Sequence, residues 1–415
     1  GIFSMQYILI VGINKISVKY ISDAIRNAGH DLILSIDKSA LCGDALQAIS
    51  DVQCIPLFSD HNALSDYLNA NPDVTQNIHS ITTFFDELFP MVNKIAEEFN
   101  FRGPPSVFAE LASKYAVGKI VPEHVPEEVQ ISFSEDKFVL PWLKVRVNNT
   151  SISKPAIGSV ARATSTLQIE ADRDPTHTIK TAVIASGATS SESLPSIIQD
   201  YYSGTLVSME GFVQGCKSIY LGLSRRERVR FTEVANHFPN DCGIEPIVHA
   251  KIQAAIHDLV LRSGFDNGFF HCEFIATDTT AYLIDANMGR LGGATIVEQV
   301  ALAYGYSPST VLQHAALLPL GLAESVPAYD QAAQINNTLS YWYGLAEESV
   351  IRGWDVPAIS SIHTPIASPG SRIQPVGVSD YSWVGMLTGY TDIVQQEINL
   401  IRVKTDHGDR IPVFK

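Results

Sequence analysis

The feature that most constrains the fold is a polar string carried by two adjacent predicted strands, Phe269–Ile275 and Ala281–Ala286. The string reads E-x11-D-x-N-x-x-R-x-G-G, with Glu273 on the first strand and Asp285 and Asn287 at the end of the second. Side chains alternate between the two faces of a strand, so Asp285 and Asn287 point the same way. Because Glu273 can face them across the hairpin, the sequence predicts that two carboxylates and one amide oxygen converge on one point.

Such an all-oxygen site is the kind that Mg²⁺ prefers when it also holds polyphosphate oxygens. Arg290 follows within one turn, where a guanidinium can hold a phosphoryl or carboxylate oxygen. Gly292 and Gly293 are expected to open the next helix and to let its backbone N–H groups approach an anion. The alternative is a surface hairpin with ordinary turn residues, which is less favoured because the complete string would have to occur by chance.

The N-terminal third alternates strand-like and helix-like stretches, which predicts a small parallel sheet. Its first strand is not followed by G-x-G-x-x-G, and the chain has no Walker A motif, so we expect a docking domain with no cofactor of its own. The predicted strands are Tyr7–Gly12, Asp31–Ile36, Val52–Pro56 and Ser80–Thr83, and the predicted helices are Val18–Ala28, a stretch near Ala63–Leu68, and Phe84–Phe101.

The rest of the chain mixes helices with many strands, after a turn and domain boundary at residues 102–105 (RGPP). The predicted elements are a helix at Val107–Val121, strands between Val129 and Tyr202, an apolar hairpin at Val207–Gly222, a helix at Val248–Ser263, and short strands and turns after Ala328.

Composition excludes several classes of protein. With 29 Lys+Arg against 44 Asp+Glu, the net charge of −15 disfavours a non-specific nucleic-acid binder and a binder of anionic membrane surfaces. No apolar run approaches the roughly 18 residues that span a bilayer, so no membrane partner is expected. The five cysteines are scattered and never in C-x-x-C spacing, so we expect neither a disulfide framework nor a structural zinc site, and a cytoplasmic location.

Several segments, in order along the chain, resemble ATP-grasp enzymes. Cys272–Gly293 (CEF…AYLIDANMGRLGG) resembles their metal and phosphate segment, and Asp200–Gly215 resembles their adenine-hinge strand and hairpin. Thr83–Lys119 resembles the run that precedes these. Gly268–Glu273 (GFFHCE) and Phe231–Pro239 (FTEVANHFP) are most similar to the amino-acid ligase branch, the bacterial dipeptide synthetases.

The resemblance implies an α/β (α+β) ATP-grasp fold in three parts. Residues 1–104 would form an N-terminal Rossmann-like pre-ATP-grasp domain, residues 105–203 the small lobe that acts as a nucleotide lid, and residues 204–415 the large lobe with a C-terminal extension. The implied activity is ATP-dependent joining of a carboxylate or amino acid to an amino acid through an acylphosphate. ATP and Mg²⁺ are the implied cofactors, with Mn²⁺ as an alternative metal, and the resemblance admits a homodimer.

Site roles follow from the same resemblance. Glu273, Asp285 and Asn287 would bind Mg²⁺, and Arg290 would stabilise the transferring phosphoryl group or hold a substrate carboxylate. The implied nucleotide-binding residues are Lys114, Lys144, Lys154, Asp200, Tyr201, Tyr202, Glu210, Glu273 and Asp285, and the implied substrate-binding residues are His271, Arg290, Gly292 and Gly293.

Some assignments stay open. Lys154, in a K-P pair, is favoured as the phosphate lysine over Lys144, and Asn148–Ser165 would be the flexible loop that covers the phosphates. Lys114 is favoured over Lys119 as the second phosphate lysine. A cluster of arginines either receives phosphate or carboxylate groups or forms a solvated strand face: Arg225, Arg226, Arg228 and Arg230.

The chain also departs from the family pattern. Asp285 replaces the usual Glu, and the spacing from Asn287 to Arg290 is one residue longer than usual. The longer spacing before Arg290 keeps open a non-catalytic protein, and two alternative functions remain beside the ligase. One is an ATP-grasp carboxylase or carbamoyl-type enzyme, and the other is a nucleotide-binding protein without catalysis.

Overall fold

The fold is taken from a computed structural model that describes most of the chain. The described residues are 6–41, 43–126, 204–229, 232–239, 243–293, 295–324, 326–330, 335–378 and 382–414, with the backbone of strands 128–134, 137–139, 150–155, 165–168 and 196–200. Lys144, Tyr201 and Tyr202 lie outside the described residues.

A four-stranded parallel sheet forms the N-terminal region, as the alternating pattern predicts. Its strands, in the order β3-β2-β1-β4, are β1 (Tyr7–Val11), β2 (Asp31–Ser35), β3 (Gln53–Ile55) and β4 (Ile78–Thr82). Strand β1 is buried on both faces, with Ile8 and Ile10 in one core cluster and Leu9 and Val11 in another, which is why its sequence is apolar without alternation. The helices of this region are α1 (Val18–Arg26), α2 (Gly43–Ala48), α3 (His61–Ala70) and α4 (Pro72–Thr75), with a 3₁₀ turn at Lys38–Ala40.

The helix predicted over Phe84–Phe101 is shorter than expected. Phe85 is extended (φ −114°, ψ 122°), a 3₁₀ turn follows at Asp86–Leu88, and helix α5 covers only Phe89–Phe99. Pro90 lies in the first turn of α5, the position where a missing N–H costs least, so the helix begins there rather than before it. Phe84 and Phe85 are thereby left at the carboxyl end of β4.

The helix predicted over Val107–Val121 is divided into α6 (Val107–Leu111) and α7 (Lys114–Ile120). Ser113 separates them in an extended conformation, and its hydroxyl caps α7 by accepting a hydrogen bond from the Ala116 N–H at 3.2 Å. The division places Lys114 at the first position of α7.

The strands predicted between Val129 and Tyr202 form a five-stranded antiparallel sheet in the order β6-β5-β9-β7-β8. They are β5 (Glu128–Ser134), β6 (Lys137–Val139), β7 (Thr150–Pro155), β8 (Ser165–Gln168) and β9 (Ser196–Asp200). Part of the predicted phosphate-covering loop, residues 150–155, is therefore a strand, because it pairs with both β8 and β9.

A large sheet of eight strands forms the centre of the molecule, in the order β14-β13-β10-β11-β12-β15-β19-β17. One face packs on helix α8 (Pro246–Ser263), and the other meets α9 (Ile296–Tyr304) and α10 (Pro308–Leu317). Its strands are β10 (Thr205–Gln214), β11 (Lys217–Val229), β12 (Thr232–Phe238), β13 (Gly268–Ala276), β14 (Ala281–Met288), β15 (Thr338–Tyr343), β17 (Ile362–Pro365) and β19 (Gly385–Tyr390).

A smaller sheet lies beside the large one near the C-terminus, in the order β18-β16-β20-β21. It comprises β16 (Ser349–Asp355), β18 (Arg372–Ile373), β20 (Arg402–Thr405) and β21 (Gly408–Arg410). Helix α11 (Thr391–Glu397) and a 3₁₀ turn at Ile398–Leu400 precede β20, whereas the 3₁₀ turn at Leu318–Leu320 follows α10 in the core shared with the N-terminal sheet. Among the helices described, none is long and apolar enough to cross a bilayer.

Candidate functional site

One face of the large sheet carries the predicted polar string. Glu273 pairs with Asp285 across β13 and β14, and on its other side pairs with Ser208 of β10. His271 and Asn287 form the next pair in the same direction on that face. The alternation of side chains thus brings Glu273, Asp285 and Asn287 together as predicted.

Asn287 is the best-defined member of this group. Its side-chain N–H donates to the backbone carbonyl of His271 at 3.0 Å, which fixes the orientation of the amide and directs Oδ1 away from that strand. Asn287 is 1% exposed, and its Oδ1 has no hydrogen-bond partner among the described residues. A buried carbonyl oxygen without a partner is costly, so this atom fits a metal ligand, and with Glu273 and Asp285 it completes an oxygen donor set suited to Mg²⁺.

More oxygens on the same face share this property. Ser208 and Ser224 are cross-strand partners, and the hydroxyl oxygen of each is buried and lacks a partner among the described residues. Native proteins leave few such groups, and each needs an explanation. Their concentration on one face indicates that this face is built to contact a polar ligand.

Cationic side chains accompany both carboxylates. The guanidinium of Arg226 contacts the carboxylate of Glu273, and the Lys114 Nζ lies 3.6 Å from the Asp285 Oδ1. Lys119 instead places its ammonium 4.6 Å from the centre of the Tyr115 ring. Of the two candidate lysines in α7, Lys114 is therefore the one that reaches the polar face.

The other arginines of the cluster are placed differently. Arg225, next to Arg226 on β11, points to the opposite face, where its guanidinium lies 3.9 Å from Glu227. Arg230 lies outside the described residues, and only the backbone of Arg228 is described. Arg226 therefore faces the site and Arg225 does not, and a role of the cluster in receiving phosphate or carboxylate groups stays a prediction.

His271, on the same strand as Glu273, contacts both the neighbouring strand β10 and the loop that follows β14. Its Nδ1 hydrogen-bonds to the buried carboxylate of Glu210, and its Nε2 lies 3.6 Å from the Glu273 Oε1. A Cβ at Gly292 would lie 2.7 Å from the His271 Nδ1, so only glycine fits beside this ring. Gly292 and Gly293 do not open the next helix as expected, because α9 begins at Ile296.

Arg290 is held by a residue that the sequence analysis missed. Its Nε donates to the Asp86 Oδ1 at 2.5 Å, and its Nη1 donates to the Leu291 carbonyl at 2.9 Å. Both members of the ion pair are buried, at 6% and 5% exposure. Burial raises the pKa of Asp86, against the lowering effect of Arg290. In the sequence, Asp86 falls in the first turn of the helix predicted over Phe84–Phe101, where an acidic residue carries no signal of a site.

The longer spacing before Arg290 also has a structural explanation. The additional residue falls at a turn in which Gly289 has a φ of +111°, a conformation that other residues rarely adopt. A Cβ at this position would lie 2.5 Å from the Phe108 ring. The turn directs Arg290 toward the N-terminal sheet and Asp86.

A cavity of about 280 Å³ is lined by Arg226, His271, Glu273 and Arg290 of this group. It lies where β1 and β4 end, the crevice between neighbouring strands at which open α/β sheets bind ligands. Its lining combines the polar face with an apolar wall: Asn14, Ser17, Phe84, Phe85, Arg226, Asn236, His271, Glu273, Arg290, Leu291, Gly292, Gly293, Ile296, Val297 and Leu312.

The remaining predicted residues lie in the five-stranded sheet. Lys154 is opposite Ile197 in the pairing of β7 with β9, and Asp200 is the last residue of β9. Only their backbone is described, so their side chains add nothing to the geometry of the site, and the choice between Lys144 and Lys154 stays a prediction.

No protein-family model matches the chain, and no curated protein matches its sequence. Solved structures do match its fold. The L-amino acid ligase from Bacillus licheniformis has a TM-score of 0.68 at 16% identity, over 93% of either chain. The phosphoribosylglycinamide synthetase from Anaerococcus prevotii has a TM-score of 0.64 at 14% identity, over 96% of this chain and 99% of that one.

A carboxylase is equally similar. The biotin carboxylase domain of the 2-oxoglutarate carboxylase from Hydrogenobacter thermophilus, solved with MgADP and bicarbonate, has a TM-score of 0.69 at 12% identity, over 97% of this chain and 91% of that domain. These neighbours are all ATP-grasp enzymes. These matches show that the chain has the mixed α/β ATP-grasp fold along almost its whole length. The Rossmann-like N-terminal domain and the three-part division implied by the resemblance stay predictions.

Proposed function

We propose that this protein is an ATP-dependent ligase that joins a carboxylate or amino acid to the amine of an amino acid. The observation that carries the proposal is the buried Asn287 Oδ1 without a partner among the described residues, set beside the carboxylates of Glu273 and Asp285. The likeness to an L-amino acid ligase supports the choice of reaction. The 280 Å³ cavity next to this group has room for a small acid.

Glu273, Asp285 and Asn287 would hold Mg²⁺, which when bound neutralises charge on the polyphosphate of ATP. Lys114 lies close enough to Asp285 to add a further positive charge at the same end of the site. The all-oxygen donor set suits Mg²⁺, and the proposal is limited to this ion because one of the matching structures was solved with MgADP.

Arg290 would bind the carboxylate of the acid. Its orientation is preset by Asp86, so little reorganisation accompanies binding. The carboxylate oxygen attacks the γ-phosphorus of ATP, and the bond from this phosphorus to the β-phosphate oxygen breaks. ADP is the leaving group, and an acylphosphate of the acid is formed. The amine then attacks the acyl carbon, loses a proton and expels phosphate, which forms the amide. Arg290 and His271 are buried, so an acylphosphate formed beside them would lie among side chains with little access to solvent, which disfavours its hydrolysis.

The test is a matrix of amino acids and small acids with ATP and Mg²⁺, assayed for phosphate release and then for products by mass spectrometry. We expect ADP formation that requires both an acid and an amine, with a product heavier by the acyl group. ATP binding without turnover by any pair would instead support a nucleotide-binding protein without catalysis.

A carboxylase is the second candidate, because the likeness to the biotin carboxylase domain is as strong as the likeness to the ligase. The same assay with bicarbonate as the acid distinguishes the two. ADP release that depends on bicarbonate, in the absence of any other acid, would favour the carboxylase.

We further propose the division of the chain into residues 1–104, 105–203 and 204–415, which is supported by the separate parallel, five-stranded and eight-stranded sheets. The parallel sheet would correspond to the Rossmann-like pre-ATP-grasp domain. Limited proteolysis, with cleavage near residues 104 and 203, would test these boundaries.

A further inference from the structure

The cavity contains a polar group whose orientation is fixed from outside the proposed catalytic site. Gln299, on α9, donates from its side-chain Nε2 to the backbone carbonyl of Asn236 at 3.0 Å. A backbone carbonyl only accepts hydrogen bonds, so the nitrogen of the Gln299 amide is identified and its Oε1 must be the other atom. That Oε1 accepts from the Asn236 Nδ2 at 3.2 Å and from the Thr295 hydroxyl at 3.0 Å.

This arrangement determines where the oxygen of the Asn236 amide lies. Because the Nδ2 is engaged by Gln299, the Oδ1 is directed away from Gln299. Asn236 lines the cavity and is 2% exposed, and its Oδ1 has no hydrogen-bond partner among the described residues. A buried acceptor that is held in place and left without a donor costs free energy unless a ligand supplies the donor.

The charges around the cavity narrow the class of ligand. Arg290, the cation of the cavity that lies outside the proposed Mg²⁺ site, is already paired with the carboxylate of Asp86. A ligand without net charge suits such a site better than an anion does. The cavity also has an apolar wall, to which Phe84, Phe85, Leu291, Ile296, Val297 and Leu312 contribute.

We propose that Asn236 selects an α-amino acid with an apolar side chain as the acid substrate, by accepting a hydrogen bond from its α-amino group. The proposal rests on the ligase function argued above. Arg290 would receive the carboxylate, the apolar wall the side chain, and the Asn236 Oδ1 an N–H of the amino group. Gln299 is a positioning residue that holds the acceptor in place.

The test compares amino acids with analogues that lack only the amino group. Leucine, phenylalanine and methionine are titrated calorimetrically against the whole protein, with and without Mg²⁺ and ADP, beside 4-methylpentanoate, 3-phenylpropanoate and 4-(methylthio)butanoate. We expect at least one amino acid to bind about 10 to 100 times more tightly than its analogue, since a site built around a hydrogen bond rejects a ligand that cannot form it. Equal binding in all three pairs would overturn the proposal.

Variants test whether Asn236 causes the preference for an amino acid over its analogue without the amino group. The nearly isosteric Asn236→Leu should reduce amino-acid binding to the level of the analogue and leave analogue binding unchanged. Gln299→Met keeps Asn236 but leaves the Asn236 amide free to rotate, so it should reduce the preference for the amino acid by less than Asn236→Leu does. It also provides the test if Asn236→Leu does not fold. Ser340→Ala, in the same buried network but outside the cavity lining, is the matched control and should retain the full preference.

The outcomes separate this proposal from the ligase function. A preference that disappears in Asn236→Leu, in a protein that turns over no acid and amine pair, would support amino-acid recognition and contradict the ligase. Amide formation with a preference unchanged in Asn236→Leu would support the ligase and overturn the role of Asn236.

Discussion

Two arginine–carboxylate pairs in this molecule have the same chemistry and opposite surroundings. Arg290 and Asp86 are buried at the cavity, whereas Arg262 and Glu123 lie at the surface with side chains 42% and 45% exposed. Burial raises the pKa of Asp86 in spite of Arg290, while the hydrogen bond from Arg262 lowers the pKa of Glu123 to about 2. Desolvation therefore outweighs attraction at Asp86, whereas at the exposed Glu123 the hydrogen bond from Arg262 is the dominant effect.

The surface pair belongs to a cluster whose side chains could hold a metal ion, although a cation of the protein already neutralises it. Glu123, His124 and Asp258 come close enough to share an ion, and the His124 Nε2 lies 2.7 Å from the Asp258 Oδ2. Arg262 already provides the cation, at 3.6 Å from the same Asp258 oxygen. On the face of the large sheet that carries Glu273, by contrast, Asn287 has a buried side-chain oxygen with no partner among the described residues.

The largest expected effect comes from breaking the buried pair. Asp86→Ala leaves the Arg290 guanidinium buried without an anion, so the free energy of unfolding should fall by about 3–5 kcal/mol in urea titrations. Combining Asp86→Ala with Arg290→Met should recover most of this loss, because no buried charge remains. A double variant as unstable as the single one would show that the pair matters through packing instead.

The next effect concerns activity alone. Glu273→Gln keeps the shape of the side chain but removes a carboxylate from the proposed Mg²⁺ site, and ADP formation should fall by about 10²–10³-fold. Glu98→Gln, a carboxylate of the N-terminal region that contacts His61 and Ser65, is the matched control and should keep full activity. Equal turnover in both variants would remove Glu273 from the mechanism.

A third prediction concerns how the stability of the protein depends on pH through a buried histidine. His314 is enclosed by aromatic rings, neither ring nitrogen has a described partner, and burial lowers its pKa to about 4. Its neutral form is favoured in the folded protein, so stability is complete above the ordinary pKa of 6.5 and falls as the pH drops from there to about 4. A shift of this size amounts to roughly 3 kcal/mol.

Replacing this side chain should weaken that dependence. In His314→Phe, the melting temperature should fall less between pH 7 and pH 4.5 than in the wild type. The exposed His257→Gln should keep the full dependence. An unchanged pH profile in His314→Phe would mean that other groups govern acid stability.

The smallest effect is expected at the surface pair. Glu123→Gln should leave the melting temperature within error of the wild type, because exposed ion pairs are screened by solvent and salt. A clear loss of stability, abolished in 1 M NaCl as screening predicts, would contradict the contrast between the two pairs.

Much of the fold can be predicted from the sequence, because in these segments the spacing of apolar residues indicates the same elements as the motifs do. The hairpin of Phe269–Ile275 and Ala281–Ala286 was found, with the relative placement of Glu273 and Asp285, since side-chain alternation within a strand depends only on local geometry. The N-terminal strands were found because a strand buried on both faces is a short, continuous apolar run.

The missed residues depend on distant partners. Asp86 gains its role from Arg290, 204 positions away, and was concealed in a predicted helix that Pro90 shortens. Asn236 is an ordinary strand residue whose amide is oriented by Gln299, 63 positions later. No local pattern carries such information, because both roles arise only when the N-terminal sheet, the large sheet and α9 are packed together.

The separation between Asp86 and Arg290 has a consequence for biosynthesis. A ribosome that adds about 5–20 residues per second takes roughly 10–40 s to extend the chain over that interval. The first four strands can therefore pair long before the arginine leaves the exit tunnel, and Asp86 waits in a nascent domain with its counter-ion still unmade. The cavity therefore cannot be completed before residue 312, the last residue of its lining, has been synthesised.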